Sequence, residues 1–368
     1  MRSILYVYPQ WHTVSFSLVA KKHIQHLREW TRVQEWDELA FPDFYPVTRW
    51  SLVIHPYFYA FSRWITQMLS MSTGATAERI RDEIRERWKK YDKVVAVEVA
   101  DSDRISKIAV WMLEPTTDVV VPSTFSREAF IASGCKKPIH VVPHGVDEEW
   151  YDTGYTARFP APNPTLEVIR HLKEVHKVKL LLFWLWHSPE RKGWPEVQAF
   201  MRALSRERDD VTLVLVTTSP VSAEQLAMNE FKCVNVWGFL KDPEKMYLYD
   251  LADLTLLFSR GGAFELCGLE SIARGTPAIG HRRGAWKDYM PTWLQVKEGR
   301  RVKVFEGNNI HVGYGYTVDV EDALNLAHSI LDDVDDYKAK TKEYAITELK
   351  DKYNWRHAAR LLLEIAAK

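Results

Sequence analysis

The chain has no excess of charge of either sign: 49 Lys and Arg balance 49 Asp and Glu over 368 residues. A protein held on nucleic acid by bulk electrostatics carries a basic surplus, so the balance argues against nucleic acid as a partner. Cysteine is scarce. Cys135, Cys233 and Cys267 lie far apart, with neither zinc spacing nor a disulfide framework, as expected in a reducing, cytoplasmic interior. Long apolar runs are missing too, and no stretch approaches the ~18 residues of a membrane-spanning helix. The opening MRSILYVYPQW is too short for the apolar core of a signal peptide and reads as a first strand. What remains is an ordinary globular balance, 46% hydrophobic and 27% charged, which can bury sizeable cores. At roughly 150 residues per domain, the length predicts two domains.

Strand-like and helix-like segments alternate. Strands are expected at 3–8, 93–99, 118–122 and 139–143, with a short helix at 125–134 ending on Gly134, a good helix terminator. A second series runs through 178–184, 211–217, 233–238, 254–258 and 276–280, with helices at 195–207, 221–231, 243–252 and 265–274. Near-continuous apolar strands with helical crossovers predict parallel sheets covered on both faces. The stretch 151–165, rich in Pro, Thr and aromatics, reads as a linker. The expected division is an α/β N-terminal domain over 1–160 and a second over 161–354. Helices are expected at 321–334, 336–353 and 355–368, from apolar residues three and four apart. Two readings stand for the aromatic stretch 50–71 and the helix 78–91 with Ile80, Ile84 and Trp88 on one face: a core element with a solvated side, or a peripheral contact with a membrane surface at the inner face.

Three segments carry chemistry. In Ser259–Glu270 a buried strand ends, Gly261 and Gly262 follow, and a helix is expected near Phe264. Adjacent glycines allow close approach to a ligand, and helix-terminal N–H groups suit a phosphate. Glu265 and Glu270, five apart, would reach different parts of a ligand; equally, the segment reads as a tight turn with a solvated glutamate pair. Glu190–Pro195 follows strand 178–184, and an open α/β sheet places ligands beyond such a strand end. Arg191 and Lys192 there could neutralise a diphosphate, or simply face solvent. In the turn Pro143–Asp147, His144 and Asp147 either line an interdomain cleft or cap the turn.

Together, VVVPSTFSREAFIASGCKKPIHVVPHGVDEEWY, RKGWPEV, VNVWGFLKDPEKMYLYDLADLTLLFSRGGAFELCGLESIARGTP and YNWRHAARLLLEI resemble, in order and spacing, the retaining glycosyltransferases of family 4. The likeness runs from about residue 93 to the C-terminus. It implies a GT-B fold, two Rossmann-like doubly wound domains with a cleft between them. The N-terminal domain would hold the acceptor, with helix 355–368 packed back on it, and the C-terminal domain a nucleotide-diphosphate sugar (UDP-, GDP- or ADP-linked). The acceptor would be a glycan, a lipid-linked or a small molecule, and neither metal nor cofactor is implied.

By motif position, Lys192 corresponds to the lysine that binds the diphosphate and Glu270 to the glutamate that grips the ribose. Gly261, Gly262, Ala263 and Phe264 would offer backbone N–H groups, Gly238, Phe239 and Leu240 would meet the base, and Arg191 would assist Lys192. Three departures stand out. The family's first glutamate falls at Gly262, with Glu265 the nearest carboxylate, one helical turn on. The usual arginine falls at Trp186. The N-terminal glycine pair is replaced by Gln10-Trp11-His12-Thr13, and the usual His or His-Asp by Glu98, Asp101 and Asp103. The catalytic set is therefore expected to be Lys192, Glu265 and Asp101, with His12, Asp103 and His144 toward the acceptor. Two alternatives remain: a GT-B sugar phosphorylase or epimerase, and a sugar-nucleotide-binding partner protein with impaired catalysis.

Overall fold

A computed structural model describes residues 3–12, 14–42, 49–153, 161–228 and 230–367. The chain divides into two compact units. The first comprises Met1–Gly145, Glu306–Gly313 and Tyr353–Lys368; the second comprises Val146–Phe305 and Tyr314–Lys352. The division thus falls at Gly145/Val146 rather than at 160/161, and residues 154–160 of the expected linker lie outside the described residues.

The first unit contains β1 (Ser3–Tyr8), α1 (Ser15–Leu27), β2 (Val33–Asp37), β3 (Trp50–Ile54), α2 (Tyr57–Met71), α3 (Ala77–Trp88) and β4 (Lys93–Val97). Then come α4 (Lys107–Met112), β5 (Asp118–Val121), α5 (Thr124–Ala132) and β6 (Ile139–Val141). Its six strands form one parallel sheet in the order β2-β1-β3-β4-β5-β6. Helix starts are fixed by side-chain caps: Thr76, Ser106 and Ser123 accept from the N–H of Arg79, Ala109 and Ser126. The aromatic stretch resolves into β3 and α2, and its rings, Tyr59 excepted, lie inside. Trp50, Phe58, Phe61 and Trp64 are buried, as are Ile80, Ile84 and Trp88 of α3. Trp64 meets Trp88 edge-on at 6.1 Å between ring centroids. The apolar face that suggested a membrane contact is therefore occupied by the core. Among the described residues no helix is long and apolar enough to cross a membrane.

The second unit contains α6 (Pro164–Glu174), β7 (Lys179–Leu185), α7 (Pro189–Lys192), α8 (Trp194–Glu207), β8 (Val211–Thr217), α9 (Ala223–Ala227), β9 (Cys233–Trp237), α10 (Asp242–Leu251) and β10 (Leu254–Leu257). It continues with α11 (Leu266–Ala273), β11 (Ala278–His281), β12 (Gln295–Val296), β13 (Glu298–Lys303), β14 (Tyr314–Val318), α12 (Val320–Asp332) and α13 (Val334–Tyr344). A second parallel sheet runs β12-β11-β10-β7-β8-β9, and β13 and β14 form a separate antiparallel ribbon. Helix α6, begun by Asn163 and Pro164, lies where the sequence suggested the end of a linker. The helix expected at 221–231 is only the short α9. The final helix α14 (Trp355–Ala367) belongs to the first unit. Asn354 accepts from the His357 N–H at 2.8 Å, which explains the bend before it, and Ser51 Oγ donates to Ala366 O at 2.6 Å.

Both sheets are doubly wound. The order reverses between β1 and β3 in the first and between β7 and β10 in the second. Open α/β sheets bind ligands outside the carboxyl ends of the strands at such a switch point.

Candidate active site

In the second unit, α7 follows the carboxyl end of β7 and the segment Ser259–Glu265 follows that of β10. The backbone holds the two together: Arg260 N–H donates to Arg191 O at 2.7 Å. Gly193, between α7 and α8, has φ +78, and a Cβ there would stand 2.0 Å from Phe258 O. Only glycine fits that crossing without moving the backbone.

These contacts bring Arg191, Lys192 and Glu265 to one point. Lys192 Nζ lies 2.5 Å from Glu265 Oε2, and Arg191 Nη1 3.5 Å from Oε1. Arg191 Nη1 also donates to Gly261 O at 3.0 Å, and its guanidinium lies 5.6 Å from the Phe305 ring centre. Arg191 is buried, and its Nε has no hydrogen-bond partner among the described residues. A buried donor so placed calls for an acceptor.

Glu265 does not lie within the helix as expected. It precedes α11 with φ +65, a left-handed conformation that costs a non-glycine residue roughly 1–2 kcal/mol. That geometry turns its carboxylate back over Gly262: a Cβ built at Gly262 would meet Glu265 Oε1 at 2.4 Å. The side chain missing at 262 and the carboxylate of Glu265 therefore compete for one space. Tyr289 OH secures the turn by donating to Glu265 O at 2.7 Å and Phe264 O at 3.2 Å. Ala263 and Phe264 are buried, so only their backbone could serve a ligand. Cys267 Sγ lies 3.9 Å from Glu265 Oε2; burial, with Glu265 adding to it, pushes the thiol up to about 12.

Glu270 occupies a separate point on α11. Lys245 Nζ is 2.8 Å from its Oε1, and Tyr249 OH donates to Oε2 at 3.0 Å. Burial works against the Lys245 cation, but Glu270 and Asp242 outweigh it and keep the ammonium above its usual range. The sequence reading missed Lys245 and Tyr249. Their i,i+4 spacing, which puts both on one face of α10, was the available signal.

Beyond β7 and β9 stand aromatic rings. Trp184 near the end of β7 and Trp186 just after it lie parallel at 6.5 Å between centroids. Trp186 meets Phe239 edge-on at 6.2 Å, and Trp184 contacts Tyr249 at 5.8 Å. Phe239 is 56% exposed, whereas Leu240 is buried. Gly238 has φ +94 and turns the chain out of β9.

The acceptor-side candidates all fall in the first unit. His12 is exposed in the turn after β1, and its carbonyl accepts from Ser17 Oγ at 2.6 Å. Asp101 N–H donates to His311 Nδ1 at 3.3 Å, and a Cβ at Gly313 would stand 2.3 Å from Asp103 Oδ1. His144 packs against Trp355 at 5.7 Å, and burial brings its imidazole down to about 3. Glu98 is buried at the end of β4, accepting from Phe58 N–H at 2.6 Å and Val99 N–H at 2.9 Å. Burial pushes its carboxyl up to about 7 against those bonds.

Residues 175–362 match the family described as Family 4 Glycosyltransferase in conflict systems. The chain belongs to that family. The glycosyltransferase is 32% identical over 356 residues to Uncharacterized protein 356 of Sulfolobus islandicus rod-shaped virus 1, covering 93% of this chain and 92% of that protein. Solved structures share its fold at low identity. Sucrose-phosphate synthase from Thermosynechococcus elongatus is 14% identical with a TM-score of 0.64, covering 100% of this chain and 98% of that one. An E. coli structure described as trehalose-6-phosphate bound with UDP-2-fluoro glucose is 10% identical with a TM-score of 0.66, covering 100% and 99%. The glycosyltransferase thus has the GT-B type of fold, with two Rossmann-like domains.

Proposed function

We propose that the glycosyltransferase moves a hexose, with retention, from a nucleotide-diphosphate donor to an acceptor hydroxyl, using neither metal nor cofactor. The observation that carries this reading is the convergence of Arg191, Lys192 and Glu265 at the β7/β10 switch point. Departure of the nucleoside diphosphate develops negative charge on its outer phosphate. Lys192 and the unpartnered Nε of Arg191 supply positive charge and a donor to meet it. Stabilisation of this kind is usually the largest catalytic contribution. The leaving phosphate can itself take the acceptor proton, so no protein base is required. Asp101 and Asp103 orient the acceptor in this reading. Glu265 supplies, from position 265, the carboxylate that the family resemblance places at the position of Gly262. Glu270 receives the ribose, and Trp186 with Phe239 offers the base an aromatic wall. The three cysteines are free thiols, which suits the cytoplasmic location proposed.

The experiment is donor turnover by purified protein presented with UDP-, GDP- and ADP-sugars, with and without chelator. Release of nucleoside diphosphate that depends on Lys192 and survives chelation supports the reading. Nucleotide binding without turnover against any acceptor pool would replace it with the partner-protein alternative. Phosphate-linked sugar or an epimer as product would replace it with the phosphorylase or epimerase alternative.

A further inference from the structure

The zero net charge conceals a local excess. Over residues 282–303 seven Lys and Arg stand against Asp288 and Glu298. Much of this charge is displayed on the β13–β14 ribbon. Arg301 is paired across the strands with Tyr316, and Lys303 with Tyr314. Residues two apart on a strand share a face, and so do direct cross-strand partners. Arg301, Lys303, Tyr314 and Tyr316 therefore stand on one side. Arg283 joins them from beyond the end of β11, its guanidinium 5.9 Å from the Tyr316 ring centre and ion-paired with Glu298 at 3.0 Å, so Arg301 and Lys303 carry the main positive charge of this face. Arg301 lies 4.4 Å and Lys303 5.5 Å from the ring centre of Tyr314. All three cations are exposed. The result is a row in which cation and aromatic ring alternate.

We propose that this face of the ribbon binds the phosphodiester backbone of a nucleic acid strand. The inference is independent of the donor site. Alternating cations and rings give a backbone its counter-charges and give bases flat surfaces, the combination used for single strands. The tyrosines also hold the long cationic side chains in place before a ligand arrives, which lowers the ordering cost of binding. A lipid surface fits less well, because interfacial binding needs apolar side chains to insert as well as charge. Val304, just after β13, is buried, and of the ribbon's large hydrophobic side chains only Tyr314 is exposed. The ribbon also joins the catalytic half directly. Tyr316 N–H donates to Arg260 O at 2.9 Å, beside Gly261. A strand lying on it would pass next to the loop that carries the proposed donor site.

The test is fluorescence anisotropy of a labelled single-stranded oligonucleotide with the full chain, titrated over salt. Arg301→Gln/Lys303→Gln, which removes both charges but keeps polar side chains, is expected to weaken binding about tenfold or more. It should also make the log–log salt dependence shallower by about 1.4, since each lost phosphate contact removes about 0.7 for a single strand. Tyr314→Ala is expected to weaken binding with little change in that slope. Binding of a nucleoside diphosphate should be unchanged in both, so that failure here and failure of the donor reading are separable. The proposal is overturned if the wild-type chain ignores the oligonucleotide at low salt or if the double variant binds it equally well. It is also overturned if phosphatidylcholine vesicles containing phosphatidylglycerol capture the protein while the oligonucleotide does not.

Discussion

The two units are built on the same plan and use it differently. Each has six parallel strands and one point at which the order reverses. At the β7/β10 reversal, charges are gathered: Arg191, Lys192 and Glu265 within one contact set, with Lys245 and Glu270 on neighbouring helices. At the β1/β3 reversal, charge is removed. Tyr6 OH lies 3.0 Å from His23 Nδ1 and 3.4 Å from His55 Nδ1, and both imidazoles are held neutral by burial. His23 also contacts Trp355, so the last helix of the chain seals this region. Topology supplies two equivalent places for a ligand, and the side chains decide which becomes a charged site.

The largest way to break this comparison is Lys192→Ala. In the proposed mechanism it removes the charge that would meet the leaving phosphate, and it is expected to cost 10²–10³ in kcat, about 3–4 kcal/mol, by analogy with loss of an oxyanion donor. The fold should be retained, with a lower melting temperature because buried Glu265 then keeps the longer Arg191 contact without the Lys192 one. Near-normal turnover would show that the charged reversal is not where the chemistry occurs. A sharper test exchanges positions. Glu265→Gly should lower kcat by about tenfold or more, and Gly262→Glu added to it should restore part of the loss. The space a side chain at 262 needs is the space Glu265 vacates. If the double variant is no better than the single, the two positions do not share a role. Trp186→Ala is a smaller change, expected to raise the donor KM by roughly tenfold, within the ~1–3 kcal/mol of one base–aromatic stack. A change in kcat alone would place Trp186 elsewhere in the reaction.

The second unit was more legible in the sequence than the first, for physical reasons. Strands β7, β8 and β10 are nearly all buried, so they appear as apolar runs. The glycines and carboxylates of 259–270 announced a turn into a helix. In the first unit β2 is an edge strand, half-buried throughout, and its VQEWD shows no apolar signature. β3 runs into the equally apolar α2, and the two read as one aromatic block. The β13–β14 ribbon was hidden by its charge. KEGRRVK has almost no apolar pattern, and whole-chain neutrality averaged it away. The left-handed backbone of Glu265 had no sequence signal, because a glutamate is not expected there.

The smallest expected effect concerns pH and separates the units by stability rather than activity. Burial holds His23 at about 4 and His144 at about 3, with His55 also well below its usual range. In the second unit, His281 is held by burial at about 4. An unfolded histidine takes up its proton near 6.5. From there down to about 4 the unfolded chain therefore binds more protons, and native stability falls with pH. The first unit should lose the more. Glu98 opposes this loss. Its folded value of about 7 exceeds the ordinary carboxyl value, so between about 4.5 and 7 the native state gains protons and stability as pH falls. Glu98→Gln removes that opposing pull, and the acid loss of the first unit should steepen across this window. Hydrogen exchange of β1 and β3 amides against those of β7 and β10 measures it. Equal losses in the two sheets, or an unchanged slope in the variant, would show that the buried histidines and Glu98 do not set the difference.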